Sequence, residues 1–88
     1  MSNQIWTATG IQMIYPEVPE WQDVSDHVLI ELIENYQDEP SCATSAILEL
    51  SLRQPEVAKN LAHWLILEND ADKWLKSAAL DVITYLLH

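Results

Sequence analysis

From residue 23 onward the chain has no glycine, and its apolar side chains recur every three to four positions. That period matches one face of an α-helix and does not fit strands, so an all-α domain is expected. Pro40 and Pro55 divide the run, and each suits the first turn of a helix, where its missing N–H costs nothing. Four helices follow, over about 24–37, 40–52, 55–69 and 71–87. Asp23 or Ser25 would cap the first, and Asp70 or Asp72 the fourth. In the first helix Val28, Leu29, Leu32, Ile33 and Tyr36 share a face, and Asp23, Asp26, Glu31, Glu34 and Asp38 lie opposite, around Ile30. The second buries Ala43, Ala46, Ile47 and Leu50, with Leu48 and Leu52 behind, so a second cover is expected there. Val57, Leu61, Trp64 and Leu65 form the stripe of the third, and Leu75, Ala79, Val82 and Leu86 that of the fourth. The short connections make consecutive helices antiparallel neighbours.

Residues 1–22 differ. They contain Gly10, Pro16, Pro19, Trp6, Tyr15 and Trp21. The run IQMIY reads as a short extended segment with Ile11, Met13 and Tyr15 on one face. The two prolines oppose a regular helix after it. The expected organisation is an extended arm over 1–22 and a four-helix domain over 23–88, one domain in all.

A shift of 32 residues sets SAILEL (45–50) on SAALDV (77–82), Leu29 on Leu61, Ile33 on Leu65 and Asp38 on Asp70. Residues 23–54 then overlay 55–86, each as one helical hairpin. The matches fall at core positions and at a turn, as two stacked hairpins would require.

Charge constrains function more than any motif does. Residues 17–40 carry eight carboxylates and no Lys or Arg. Residues 1–52 carry nine acids and no Lys or Arg, and 53–88 carry five acids against four bases, for a net charge of −10. A surface of this sign opposes direct nucleic-acid binding and adhesion to anionic membranes. It favours a cationic partner, whose capture it would accelerate. A surface that served only solubility would mix both signs. Cys42 is the only cysteine, so no internal disulfide forms, which fits a reducing cytoplasm. The start MSNQIWTATG has neither the basic nor the apolar region of a signal peptide, and no apolar run is long enough for a membrane span.

No motif carries catalysis. Asp23, His27 and Glu31 fall on one helical stripe at metal-ligand spacing, but a single exposed helix encloses no ion, and the stripe reads rather as a solvated acidic face with a histidine in it. Cys42 sits near a helix start, where the dipole lowers a thiol pKa, yet no base is paired with it, and small buried cysteines are common. Ser41, Thr44, Ser45 and Ser51 lack a nucleophile-elbow context, His63 lies at a polar edge, and one glycine cannot build a phosphate loop. Neither an enzyme nor a cofactor is expected. Trp64 belongs to the core stripe. Trp21 and Tyr15, beside Glu17 and Glu20, either pin the arm or offer stacking surfaces to a partner's arginine.

The segments SCATSAILELSLRQPEVAKNLAHWL and DKWLKSAALDVITYLL resemble HEAT-type helical hairpins, so the four helices are expected either as two stacked HEAT-like hairpins or as a compact four-helix bundle. PEVAKNLAHWLILENDADKWLKSAALDVITYLL is similar to the helical C-terminal portions of small bacterial immunity proteins, which accompany contact-dependent or polymorphic secreted toxins. That resemblance implies a cytoplasmic inhibitor of a cationic protein toxin, often a nuclease, acting by occlusion. From the charge pattern, the partner-binding residues would be Glu17, Glu20, Trp21, Asp23, Asp26, Ile30, Glu31, Glu34 and Asp38, with the acids standing in for phosphates. Rival readings are an acidic nucleic-acid mimic that inhibits a DNA-binding protein, a helical adaptor with a peptide groove, and a metal or redox protein built on His27, Glu31 and Cys42.

Overall fold

Pro40 and Pro55 open helices, as the sequence predicts. In the computed structural model, which describes residues 7–15, 17 and 20–86, they begin α3 (Pro40–Arg53) and α4 (Pro55–Leu67). Gln54 alone separates the two helices, closing α3 and preceding Pro55. The remaining helices are α1 (Ala8–Ile14), α2 (Asp26–Glu34) and α5 (Lys73–Leu86), with a 3-10 turn at Trp21–Asp23. The described residues contain no strand, so the fold is all-α.

The caps explain where helices start. Ser25 is the cap of α2, its hydroxyl accepting from the Val28 N–H at 3.3 Å. Asp72 caps α5, its carboxylate accepting from the Leu75 N–H at 2.8 Å. Each satisfies a backbone donor that the first turn leaves without a partner. The first predicted helix is shorter than expected. It ends at Glu34, where the Asn35 side chain donates to the Glu31 carbonyl, and residues 35–38 form turns. Asp23 lies in the 3-10 turn before α2 and Asp38 in the turn after it, so neither is on the helix that carries Glu31 and Glu34.

The extended reading of residues 11–15 is corrected. Residues 8–14 are helical, with Thr7 as the cap accepting from the Gly10 N–H at 3.0 Å. Ala8 and Ile11 are buried and Tyr15 packs on the core, a spacing of three and four that follows helical period. Met13, expected beside Ile11, is 81% exposed. The bearing of Pro16 and Pro19 on the backbone, and the place of Trp6, lie outside the described residues.

A single core joins these elements. Ile11, Val24, Leu29, Leu32, Ile33, Ile47, Leu50, Leu65 and Leu75 are all essentially inaccessible to water. Each fully buried aliphatic side chain contributes roughly 1.5–3 kcal/mol against the entropy of ordering the chain. Alanines (Ala43, Ala46, Ala58, Ala62 and Ala79) let the helices approach closely. α2 packs on α3, α4 on α5, and α3 touches both α4 and α5. Positions 32 residues apart share burial: Ile33 with Leu65, Ala43 with Leu75, Ala46 with Ala78, and Leu50 with Val82. Tyr36 also reaches across that interval, donating to the Glu68 carboxylate at 3.0 Å and meeting Trp64 edge-on at 5.7 Å.

Among the described residues no second cover lies over Leu48 and Leu52, where one was expected. They are 45% and 72% exposed, because α5 meets α3 along only part of that side. The Cα trace is 17 Å thick along its shortest axis, too thin for any helix to be enclosed on all sides.

Candidate functional site

Placing the predicted partner-binding residues separates them into two groups. Glu17, Glu20, Asp23, Glu31, Glu34 and Asp38 are exposed. Glu20 and Asp23 flank or belong to the 3-10 turn, Glu31 and Glu34 stand one turn apart on α2, and Asp38 follows in the turn. Glu20 accepts from the Gln22 amide, and Glu31 lies 3.8 Å from the exposed His27. Trp21, Asp26 and Ile30 are half-buried instead. Trp21 and Ile30 lean on the core, as does Tyr15, so each offers only part of its surface to a partner.

Asp26 is engaged internally, and its partner is the residue that the sequence did not reveal. Arg53, the last residue of α3, places its guanidinium among four acceptors. It donates to the Val24 carbonyl at 2.6 Å, the Trp21 carbonyl at 2.8 Å, Asp26 at 3.0 Å and Glu49 at 3.3 Å. Gln54 adds a bond to the other Asp26 oxygen at 3.0 Å. A planar guanidinium serves several acceptors at once, which an ammonium does poorly. The clamp fastens the 3-10 turn and the start of α2 to the end of α3. The only signal in the sequence was the Glu49–Arg53 spacing of four; the other acceptors lie 27 to 32 residues away.

The clamp also settles how charge is distributed. Arg53 offsets Asp26 and Glu49, and no other Lys or Arg forms an ion pair with residues of the N-terminal half among the described residues. Lys59 pairs with Glu56, and Lys73 sits 5.3 Å over the Trp74 ring. Among the described residues the exposed acids Glu17, Glu20, Asp23, Glu31, Glu34 and Asp38 therefore have no Lys or Arg partner.

The chemical rivals fare differently. Among the described residues no three His, Cys, Asp or Glu side chains are grouped to hold a metal ion, so Asp23 does not join His27 and Glu31 in a site. Of the two readings of Cys42, the small buried residue is the one found. The thiol is fully buried, and its pKa is pushed up to about 11 by burial first and by the nearby Glu39 carboxylate second. A thiol in that state is a core side chain. The described residues have no helix long and apolar enough to cross a membrane.

Comparison with known proteins finds no matching family, no curated relative and no similar solved structure.

Proposed function

We propose that this chain is a binding protein that captures a cationic protein and blocks its working surface, in the manner of a cytoplasmic immunity protein against a basic toxin such as a nuclease. The reading includes no catalysis, no cofactor, no direct nucleic-acid contact and no membrane. It also takes α2–α3 and α4–α5 as two stacked HEAT-like hairpins, with the preceding residues folded onto the first.

The observation that carries it is the unneutralised acidic surface. Glu20, Asp23, Glu31, Glu34 and Asp38 face solvent, while Arg53, the one Lys or Arg among the described residues that pairs with this half of the chain, is engaged by Asp26, Glu49 and two carbonyls. Mutual repulsion of this kind costs stability, and an acidic surface speeds encounter with a positive one. Asp26 belongs to the scaffold in this account, and Glu31 and Glu34 are the acids presented on a regular helix.

The test is co-purification with the product of the adjacent upstream gene, followed by assay of that product's toxicity. A stable complex with a basic protein and loss of toxicity support the proposal. A partner of acidic or neutral surface would remove it. The adaptor reading keeps one specific support, the open apolar groove between α3 and α5.

A further inference from the structure

Leu48 and Leu52 on α3 face Val82 and Tyr85 on α5 across an open groove of about 450 Å3, whose lining is completed by Ser51 and Asp81. Leu52 and Tyr85 are 72% and 67% exposed. Apolar side chains at such spacing on two adjacent helices form the kind of furrow that accepts the ridge of a third helix.

The internal 32-residue correspondence identifies what the groove lacks. It aligns Glu49 with Asp81 and Arg53 with Tyr85. On α3, Glu49 is matched by Arg53, and the guanidinium goes on to bind the carbonyls of the segment packed beside it. On α5 the equivalent carboxylate has a tyrosine one turn on instead of an arginine. Asp81 takes part in none of the ion pairs found among the described residues, which include all four Lys and Arg of the chain, Arg53, Lys59, Lys73 and Lys76. The same architectural position is therefore closed by a cation in the first half and left open, with an aromatic ring beside the acid, in the second.

We infer that this groove docks an amphipathic helix of the partner protein. That helix lays leucine-type side chains between Leu52 and Tyr85 and sets an arginine or lysine between the Asp81 carboxylate and the Tyr85 ring. The carboxylate supplies charge and the ring supplies a cation–π face. A second copy of the chain fits less well, because an isologous contact would bring two Asp81 side chains and two chains of charge −10 together. The inference rests on the cationic-partner reading for the source of the basic residue, and it adds a second, apolar surface to it.

The probe is a helical peptide of about four turns with two leucines four apart and an arginine one turn beyond. Its control has glutamate in place of the arginine. Binding is followed by amide shifts of the labelled full chain. The arginine peptide is expected to shift Leu48, Leu52, Val82 and Tyr85 and to bind at least about tenfold more tightly than the control. Asp81→Asn should abolish that preference, and Leu52→Glu should abolish binding. Both positions are exposed, and circular dichroism checks that the variants remain folded. Equal affinity for the two peptides, no binding, or self-association of the free chain through Leu52 would each overturn the inference. Shifts confined to Glu31 and Glu34 would overturn it while leaving the acidic-surface proposal standing. Groove binding that survives when no cationic partner is captured would do the reverse.

Discussion

Replacing Arg53 by methionine tests the clamp that fixes the N-terminal segment. Methionine keeps much of the side-chain stem and removes the guanidinium. The change strips a donor from the Trp21 and Val24 carbonyls, and Val24 is buried. It also frees Asp26 and Glu49 to repel neighbouring acids. Hydrogen bonds from a charged donor contribute about 1.5–3 kcal/mol each, but these share one side chain that remains 26% exposed to water. A loss of about 2–4 kcal/mol is the expected result. Against a total of about 4–13 kcal/mol for a chain of this size, that is a large fraction. With a urea slope of about 1 kcal/mol/M, the unfolding midpoint should fall by about 2 M or more. Arg53→Lys should recover part of the loss, because an ammonium retains charge without the fork. Lys59→Met, which removes only the looser pair with Glu56, serves as the control and should change stability by less than about 0.5 kcal/mol. If Arg53→Met costs no more than that control, the clamp does not hold the segment and the reasoning fails.

The remaining expectations are narrower. Asp72→Ala removes the cap of α5 and should cost about 1 kcal/mol in thermal or urea unfolding, with Asp72→Ser restoring most of it; an unchanged midpoint would contradict the cap. Tyr36→Phe deletes the bond to Glu68 while keeping the ring on Trp64, for a loss of about 1 kcal/mol. Cys42 should react with a disulfide reagent only as fast as the chain opens, so its rate should track added urea; rapid stoichiometric labelling of the native protein would refute its burial. Its raised pKa also sets an alkaline limit. The unfolded thiol ionises near 9.0 and the folded one near 11, so the native state holds a proton that the unfolded state has lost. Stability is therefore intact below pH 9 and declines as pH rises through that window, by up to about 3 kcal/mol. Tyr36, raised chiefly by burial and also by Glu68 and Asp70, acts in the same direction.

Helix class, the proline-marked starts of α3 and α4, and most of the core were readable because each depends on local spacing. α1 was not, although Ala8, Ile11 and Tyr15 already carried a helical spacing. Seven residues containing a glycine fit a two-residue period equally well, and tertiary contact decided the outcome. Arg53 was invisible as a clamp because its acceptors include backbone carbonyls, which leave no trace in a sequence. The exposure of Leu48 and Leu52 depends on where α5 crosses α3, and no periodicity within α3 encodes that crossing. The acid pattern was legible in sign and extent, but not in which carboxylate, Asp26, the scaffold would keep for itself.

The central claim is that the exposed acids capture a positive surface, and the association rate with the co-purified partner measures this directly. Between about 50 mM and 500 mM salt the rate for the unmodified chain should fall tenfold or more, and Glu31→Lys with Glu34→Lys should impose a similar loss at the lower salt. An association rate indifferent to both salt and these charge reversals would contradict the account.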